Sequence, residues 1–136
     1  MKNYAVFIGV AALAATLYFA KPKLTENAET FYYSSASSVS ERVSEREYGF
    51  FPRNINYLPV KGESAFIPGE CDVNAVLDKY SAKPLKITET NGVTDYYCYS
   101  TLLGGGIRLY GKTVNFHLSV CNYGYSVAAP LNFGGY

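Results

Sequence analysis

The rhythm of apolar and polar positions changes three times along this chain. Residues 4–20 form an apolar run without a charge, opened by Met1-Lys2-Asn3 and closed by Lys21-Pro22-Lys23. Seventeen residues in helical form rise about 25 Å, just short of a hydrocarbon core of about 30 Å. The run predicts either a short single-pass transmembrane anchor or the apolar stretch of a secretory signal. A signal needs small residues at −3 and −1 of its cut. Ala12-Leu13-Ala14 fits but lies inside the run, a cut after Ala20 puts Tyr18 at −3, and Ser34-Ser35-Ala36 lies well beyond it. The retained anchor is the better reading, with the cleaved signal as its alternative. On a helix, Ala5, Gly9, Ala12, Thr16 and Ala20 align in one small-residue stripe, the kind that lets helices pack closely in lipid. Lys2 on one side faces Lys21 and Lys23 on the other, so the positive-inside bias leaves orientation balanced.

Residues 24–48 follow with steps of three or four: Leu24, Ala28, Phe31 or Tyr32, Ser35, Val39 and Val43. Ser38-Val39-Ser40-Glu41 matches a capping box. An amphipathic helix is expected here, or a flexible stalk, since serines crowd residues 34–40. Residues 49–70 are punctuated by Pro52, Pro59 and Pro68 with Gly49, Gly62 and Gly69, which predicts a looping connection with a short edge strand near 55–60. Asp72 is placed to cap a short helix over 73–80 that turns Val73, Val76 and Leu77 to one face, and Pro84 forbids its continuation.

From residue 85 the period becomes two. Asn91-Gly92 between alternating segments predicts a hairpin with a type I′ turn. Its register would pair Thr90 with Val93, Ile87 with Tyr96 and Leu85 with Cys98, placing Leu85, Ile87, Tyr96, Cys98 and Leu102 on one face. Gly104-Gly105-Gly106 breaks the strand, residues 107–110 resume it, and Gly111-Lys112 is read as a second tight turn. Residues 113–122 then alternate: Val114, Phe116, Leu118 and Val120 on one face, Asn115, His117, Ser119 and Cys121 on the other. Such strands belong to antiparallel sheets wetted on one side. Residues 126–136 are expected as an edge strand or a docking tail. The fold class expected is α+β: an N-terminal transmembrane helix over residues 1–23, a helical or extended stalk over 24–48, and over 49–136 a small antiparallel sheet with one short helix.

Composition narrows the function. A net charge of +1 gives no electrostatic case for nucleic acid. Fourteen tyrosines, eight phenylalanines and only 17% charged residues suit an exported or assembly-embedded protein. Cys71, Cys98 and Cys121 are an odd set without a CxxC pair. Strand parity separates Cys98, on the core face, from Cys121. A Cys71–Cys98 disulfide with Cys121 as a leftover thiol is therefore expected in an oxidising compartment, against three reduced cysteines otherwise. His117, Cys121, Cys71 and Cys98 make a Cys3His set on paper, but no short chelating pair supports zinc.

His117 is the sole histidine, and four residues from Cys121 on a strand it is over ~13 Å away, too far for a dyad. Glu63, Glu70, Asp72, Glu89 and Asp95 read as ordinary loop and turn charges. Residues 104–106 lack the lysine and the helix of a phosphate loop. No catalytic residue, metal ligand, cofactor or small-molecule substrate is expected.

An apolar N-terminal helix, an amphipathic continuation and an antiparallel sheet with a late disulfide resemble the layout of type IV pilins and pseudopilins. The resemblance is architectural: the processing glycine followed by Phe-Thr-Leu-Ile-Glu is missing, and no glutamate stands near the start of the run. The function expected is a non-enzymatic, membrane-anchored structural or interaction subunit of an envelope or virion assembly. Its partners would be the lipid bilayer and other subunits, and its C-terminal domain would be exported to the periplasm or cell exterior, or would face a virion shell. The competing expectation is a secreted binding or inhibitor domain with its signal removed.

Overall fold

Alternating strands need partners, and a computed structural model shows which they find; it describes residues 2–19, 24–25, 28–33, 42–44 and 62–131. Helix α1 (Lys2–Phe19) occupies the apolar run. Strands β1 (Thr30–Tyr33), β2 (Arg42–Ser44) and β3 (Gly62–Pro68) follow, then helix α2 (Val73–Lys79). Six more strands follow among the described residues: β4 (Ala82–Thr90), β5 (Val93–Ser100), β6 (Ile107–Leu109), β7 (Lys112–Val114), β8 (Phe116–Cys121) and β9 (Gly124–Ala129). Seven strands form one antiparallel sheet in the order β2-β1-β3-β9-β8-β5-β4, and β6 pairs with β7 alone. The described residues are thus mainly antiparallel β with two helices.

The β4–β5 hairpin forms as its turn dictates. Asn91 and Gly92 have φ of 52° and 77°, the two positive angles of a type I′ turn. Thr90 pairs with Val93 and Ile87 with Tyr96 as expected. Farther from the turn the register shifts: Pro84, not Leu85, faces Cys98, with an irregularity between Pro84 and Lys86. Proline has no N–H to give the ladder, and a bulge absorbs the misfit. The β6–β7 turn sits one residue earlier than expected, at Tyr110-Gly111 with φ of 51° and 74°. This puts glycine, rather than a lysine, at the second positive-φ position. Helix α2 begins where Asp72 Oδ1 accepts the Ala75 amide proton at 3.0 Å.

One face of the sheet carries the core. Ala65, Cys98, Phe116, Leu118 and Val127 are fully buried there, with Val73, Val76 and Leu77 of α2 packed against them. Tyr80 stacks on Phe116 with ring centres 4.6 Å apart, and its hydroxyl donates to the Leu24 carbonyl at 2.6 Å. Leu24 and Thr25 are buried in this arrangement.

Four expectations are corrected. Residues 24–48, read as helix or stalk, contain buried Leu24 and Thr25 and strands β1 and β2, with β1 lying between β2 and β3. Thr-Phe-Tyr-Tyr is strongly β-prone, and pairing with distant β3 overrides the local helical spacing. Strand β9 is neither edge nor tail but interior, between β3 and β8. The strand expected over 113–122 divides at Asn115, whose side chain accepts from Ser100 N at 2.6 Å and donates to Ser100 O and Leu103 O at 2.9 and 2.7 Å. Those bonds hold the β6–β7 excursion against the end of β5. Finally, the sheet's second face is not wet over β8 and β9, for His117, Ser119, Ser126 and Ala128 are buried.

The transmembrane part of the expected fold is unsupported: among the described residues no helix is long and apolar enough to cross a membrane. Eighteen residues rise about 27 Å, short of a typical core. The capping box at Ser38–Glu41 and the edge strand near 55–60 lie outside the described residues.

Candidate functional site

The second face of the sheet brings together the chain's one histidine, a carboxylate and a serine. Asp95 stands directly opposite Ser119 across β5 and β8, and Tyr97 opposite His117. His117 Nε2 lies 2.9 Å from Asp95 Oδ1 and 3.0 Å from Ser119 Oγ. Ser119 Oγ donates to the same Asp95 Oδ1. The Tyr97 ring stacks on the imidazole, centres 4.8 Å apart and 14° from parallel. Tyr110, at the β6–β7 turn, meets Tyr97 edge-on at 5.6 Å. Burial, the neighbouring Asp95 charge and the Tyr110 hydroxyl push the Tyr97 phenol above its ordinary value, against a hydrogen bond from Thr88 that lowers it.

Serine, histidine and aspartate suggest a nucleophilic triad, but this geometry does not make one. A working triad puts the carboxylate on one ring nitrogen and the hydroxyl on the other, so that the imidazole relays between them. Here one nitrogen faces both. Donation of the Nε2 proton to Asp95 leaves no lone pair at Nε2 to take a proton from Ser119. The serine gives its own proton to Asp95, and at 2% exposure it is closed to a substrate. The cluster is a hydrogen-bonded triangle that ties β5 to β8. A network of this kind specifies register, because a slip would break the bonds between its members.

The remaining sequence candidates lie apart. Cys71, Cys98 and Cys121 are all free thiols, so the Cys71–Cys98 pair is not joined in this structure. Cys98 is on the core face as parity predicts, its Sγ donating to Tyr96 O at 3.5 Å, and burial pushes its pKa up to about 12. Burial, with the Asp72 charge beside it, also raises the Cys71 thiol. Cys121 Sγ donates to Gly124 O at 3.2 Å across its own turn. Among the described residues no three His, Cys, Asp or Glu side chains gather as a metal site. Of the helix stripe, Ala5, Gly9 and Ala12 are exposed; the side chain of Thr16 and all of Ala20 lie outside the described residues.

The role of Asp95 was hidden in the sequence. Its place on β5 follows from the Asn-Gly turn, but its contact with His117 requires β5 to pair with β8, across an intervening hairpin. Comparison with protein-family models, with curated proteins and with solved structures finds no match for this chain.

Proposed function

We propose that this chain is a non-enzymatic, membrane-anchored structural or interaction subunit, held to a bilayer by α1 and presenting its β domain to other subunits of an envelope or virion assembly. One observation carries the reading: Tyr4, Val6, Phe7, Ile8, Val10 and Leu13 are each 61–80% exposed. At 100° per residue these six side chains spread over about 220° of the helix, and the exposed small residues Ala5, Gly9 and Ala12 fill the remaining side. A helix apolar all round has no wet face, and burying each such side chain stabilises by about 1.5–3 kcal/mol. A protein groove would cover one side, whereas lipid covers every side at once. The shortness of α1 is met by local thinning of the bilayer or by association with other helices. Exposed Phe66, Tyr99, Tyr110 and Tyr123 support a contact role for the domain. The meeting of Asp95 and Ser119 at one nitrogen of His117, with Ser119 buried, supports the non-enzymatic reading.

The test is alkaline carbonate extraction of membranes from expressing cells, with the mass of the mature chain measured in parallel. Retention in the pellet with an intact Met1 or Lys2 start supports the anchor; release into the supernatant with an intact start overturns it. A second reading, the secreted domain with its signal removed, is favoured by one observation: among the described residues Leu24 is the first in the core. A start shortly before Leu24 in the mass spectrum selects that reading. A cut after Ala36 would remove Leu24 and β1 together, so the Ser34-Ser35-Ala36 site is incompatible with this sheet.

A further inference from the structure

The β4 edge of the sheet carries a basic and aromatic surface unlike the rest of the described domain. On the second face Lys83 stands opposite Tyr99 and Lys86 opposite Tyr97. Lys86 Nζ lies 4.0 Å from the centre of the Tyr110 ring, a cation–π contact. Lys112 flanks the same turn, opposite Leu109. All three lysines are exposed, as are Tyr99 and Tyr110 at 43% and 54%. Among the described residues, the carboxylate nearest on this face is Asp95, half-buried and engaged with His117 and Ser119. Glu89 alternates to the opposite face. Among the described residues, three lysines therefore stand without an exposed acid between them.

The start of β4, though not the face that bears the lysines, also lies close to Leu24, the point where the described domain follows α1. Leu24 is held by the Tyr80 hydroxyl, Lys79 Nζ lies 5.4 Å from the Tyr80 ring centre, and β4 begins two residues later at Ala82. Phe19 and Leu24 are five steps apart, a reach of at most about 18 Å. If α1 enters a bilayer, the β4 edge cannot be far from the headgroups.

We propose that the β4 edge and the β6–β7 turn dock on an anionic phospholipid surface, with Lys83, Lys86 and Lys112 facing the headgroup charge and Tyr99 and Tyr110 at the interface. The proposal rests on the membrane reading of α1. Charge complementarity selects the occupant: lysines near an anionic leaflet and tyrosines at headgroup depth are the two groups that such a surface retains. Each lysine contributes about fivefold, so removing three charges lowers the docked-to-undocked ratio about a hundredfold. A single-stranded nucleic acid could also use lysines and aromatic rings, but the short link to α1 favours lipid.

The experiment incorporates the full chain into phosphatidylcholine vesicles with and without phosphatidylserine, and follows amide hydrogen exchange in peptides covering residues 82–90 and 107–114. Carbonate extraction of the same vesicles reports insertion separately. The expected result is slower exchange in both peptides with phosphatidylserine only, lost in high salt and in the triple variant Lys83→Gln, Lys86→Gln, Lys112→Gln, whose melting temperature is unchanged. Equal exchange in the two vesicle types, with the chain resistant to carbonate, overturns the docking and leaves the anchor standing. Protection with phosphatidylserine in a chain that carbonate removes supports the docking and overturns the anchor. Protection by a single-stranded oligonucleotide but not by anionic vesicles overturns the proposal in favour of nucleic acid.

Discussion

Asn115 shows how much one side chain can organise. Its amide makes three hydrogen bonds to the backbone of Ser100 and Leu103, and its own N–H donates to Cys98 O at 3.1 Å. The Asn115→Ala substitution leaves buried groups at the end of β5 without partners, at about 1–3 kcal/mol each. A loss of roughly 3 kcal/mol is expected in urea unfolding, and a loss below one would show that the excursion is held by other means. Cys98 yields a second prediction at this scale. Its thiolate is disfavoured by burial, and the thiolate is the reactive form, so the native thiol should resist iodoacetamide at pH 8 and react once denaturant is added. The same burial makes stability pH-dependent. Cys98, Tyr80 and Tyr97 hold their protons more tightly folded than unfolded. Their contribution is complete below the ordinary thiol value of 9.0 and is lost as pH rises through the folded Cys98 value of about 12. Melting temperature should therefore fall progressively from pH 9 upward; a flat profile to pH 11 would contradict it.

At the scale of elements, two glycines have different work. Gly124, at the start of β9, sits under the Phe66 ring, and a Cβ there would also lie 2.6 Å from the Ile67 carbonyl oxygen. The ring can swing away, but the strand backbone cannot. Gly124→Ala should cost about 1–3 kcal/mol by overpacking, and adding Phe66→Ala should recover only part of it; full recovery in the double variant would assign the whole clash to the ring. Gly9, in contrast, has nothing within 4 Å of a built Cβ, so the protein itself does not require glycine there. If the stripe packs against other helices in lipid, Gly9→Leu with Ala12→Leu should weaken recovery of the chain in its native membrane complex while leaving carbonate resistance intact. Unchanged recovery would mark the stripe as alanine-rich background.

For the whole molecule, the decisive feature is that the core of the described residues includes Leu24, well before residue 49. Leu24 and Thr25 are buried beside Tyr80, and β1 fills the space between β2 and β3. A chain starting at residue 24 should keep the β-sheet circular-dichroism spectrum and cooperative melting of the full protein. A chain starting at residue 37 loses β1 and should melt at least 10 °C lower or not fold, since one kcal/mol shifts a domain of this size by about 4–8 °C. Equal melting of the two would show that β1 is dispensable.

What the sequence determined by itself was local. Asp72 capped α2, Asn91-Gly92 set the hairpin, and period-two alternation put Cys98, Phe116 and Leu118 on one face, because turn angles, caps and side-chain parity act within a few residues. Tertiary structure decided the rest. Helical spacing gave way over Thr30–Tyr33 to strand pairing with β3, since hydrogen bonds from a distant strand outweigh a weak local preference. The proline misfit moved the β4 register beyond reach of the turn. His117 and Ser119 looked like part of a wet face and Asp95 like a turn charge, and the three became one hydrogen-bonded triangle only when β5, β8 and β9 were laid side by side. Polarity along a chain records what a residue can bond to, and only the packed sheet decides whether its partner is water or another side chain.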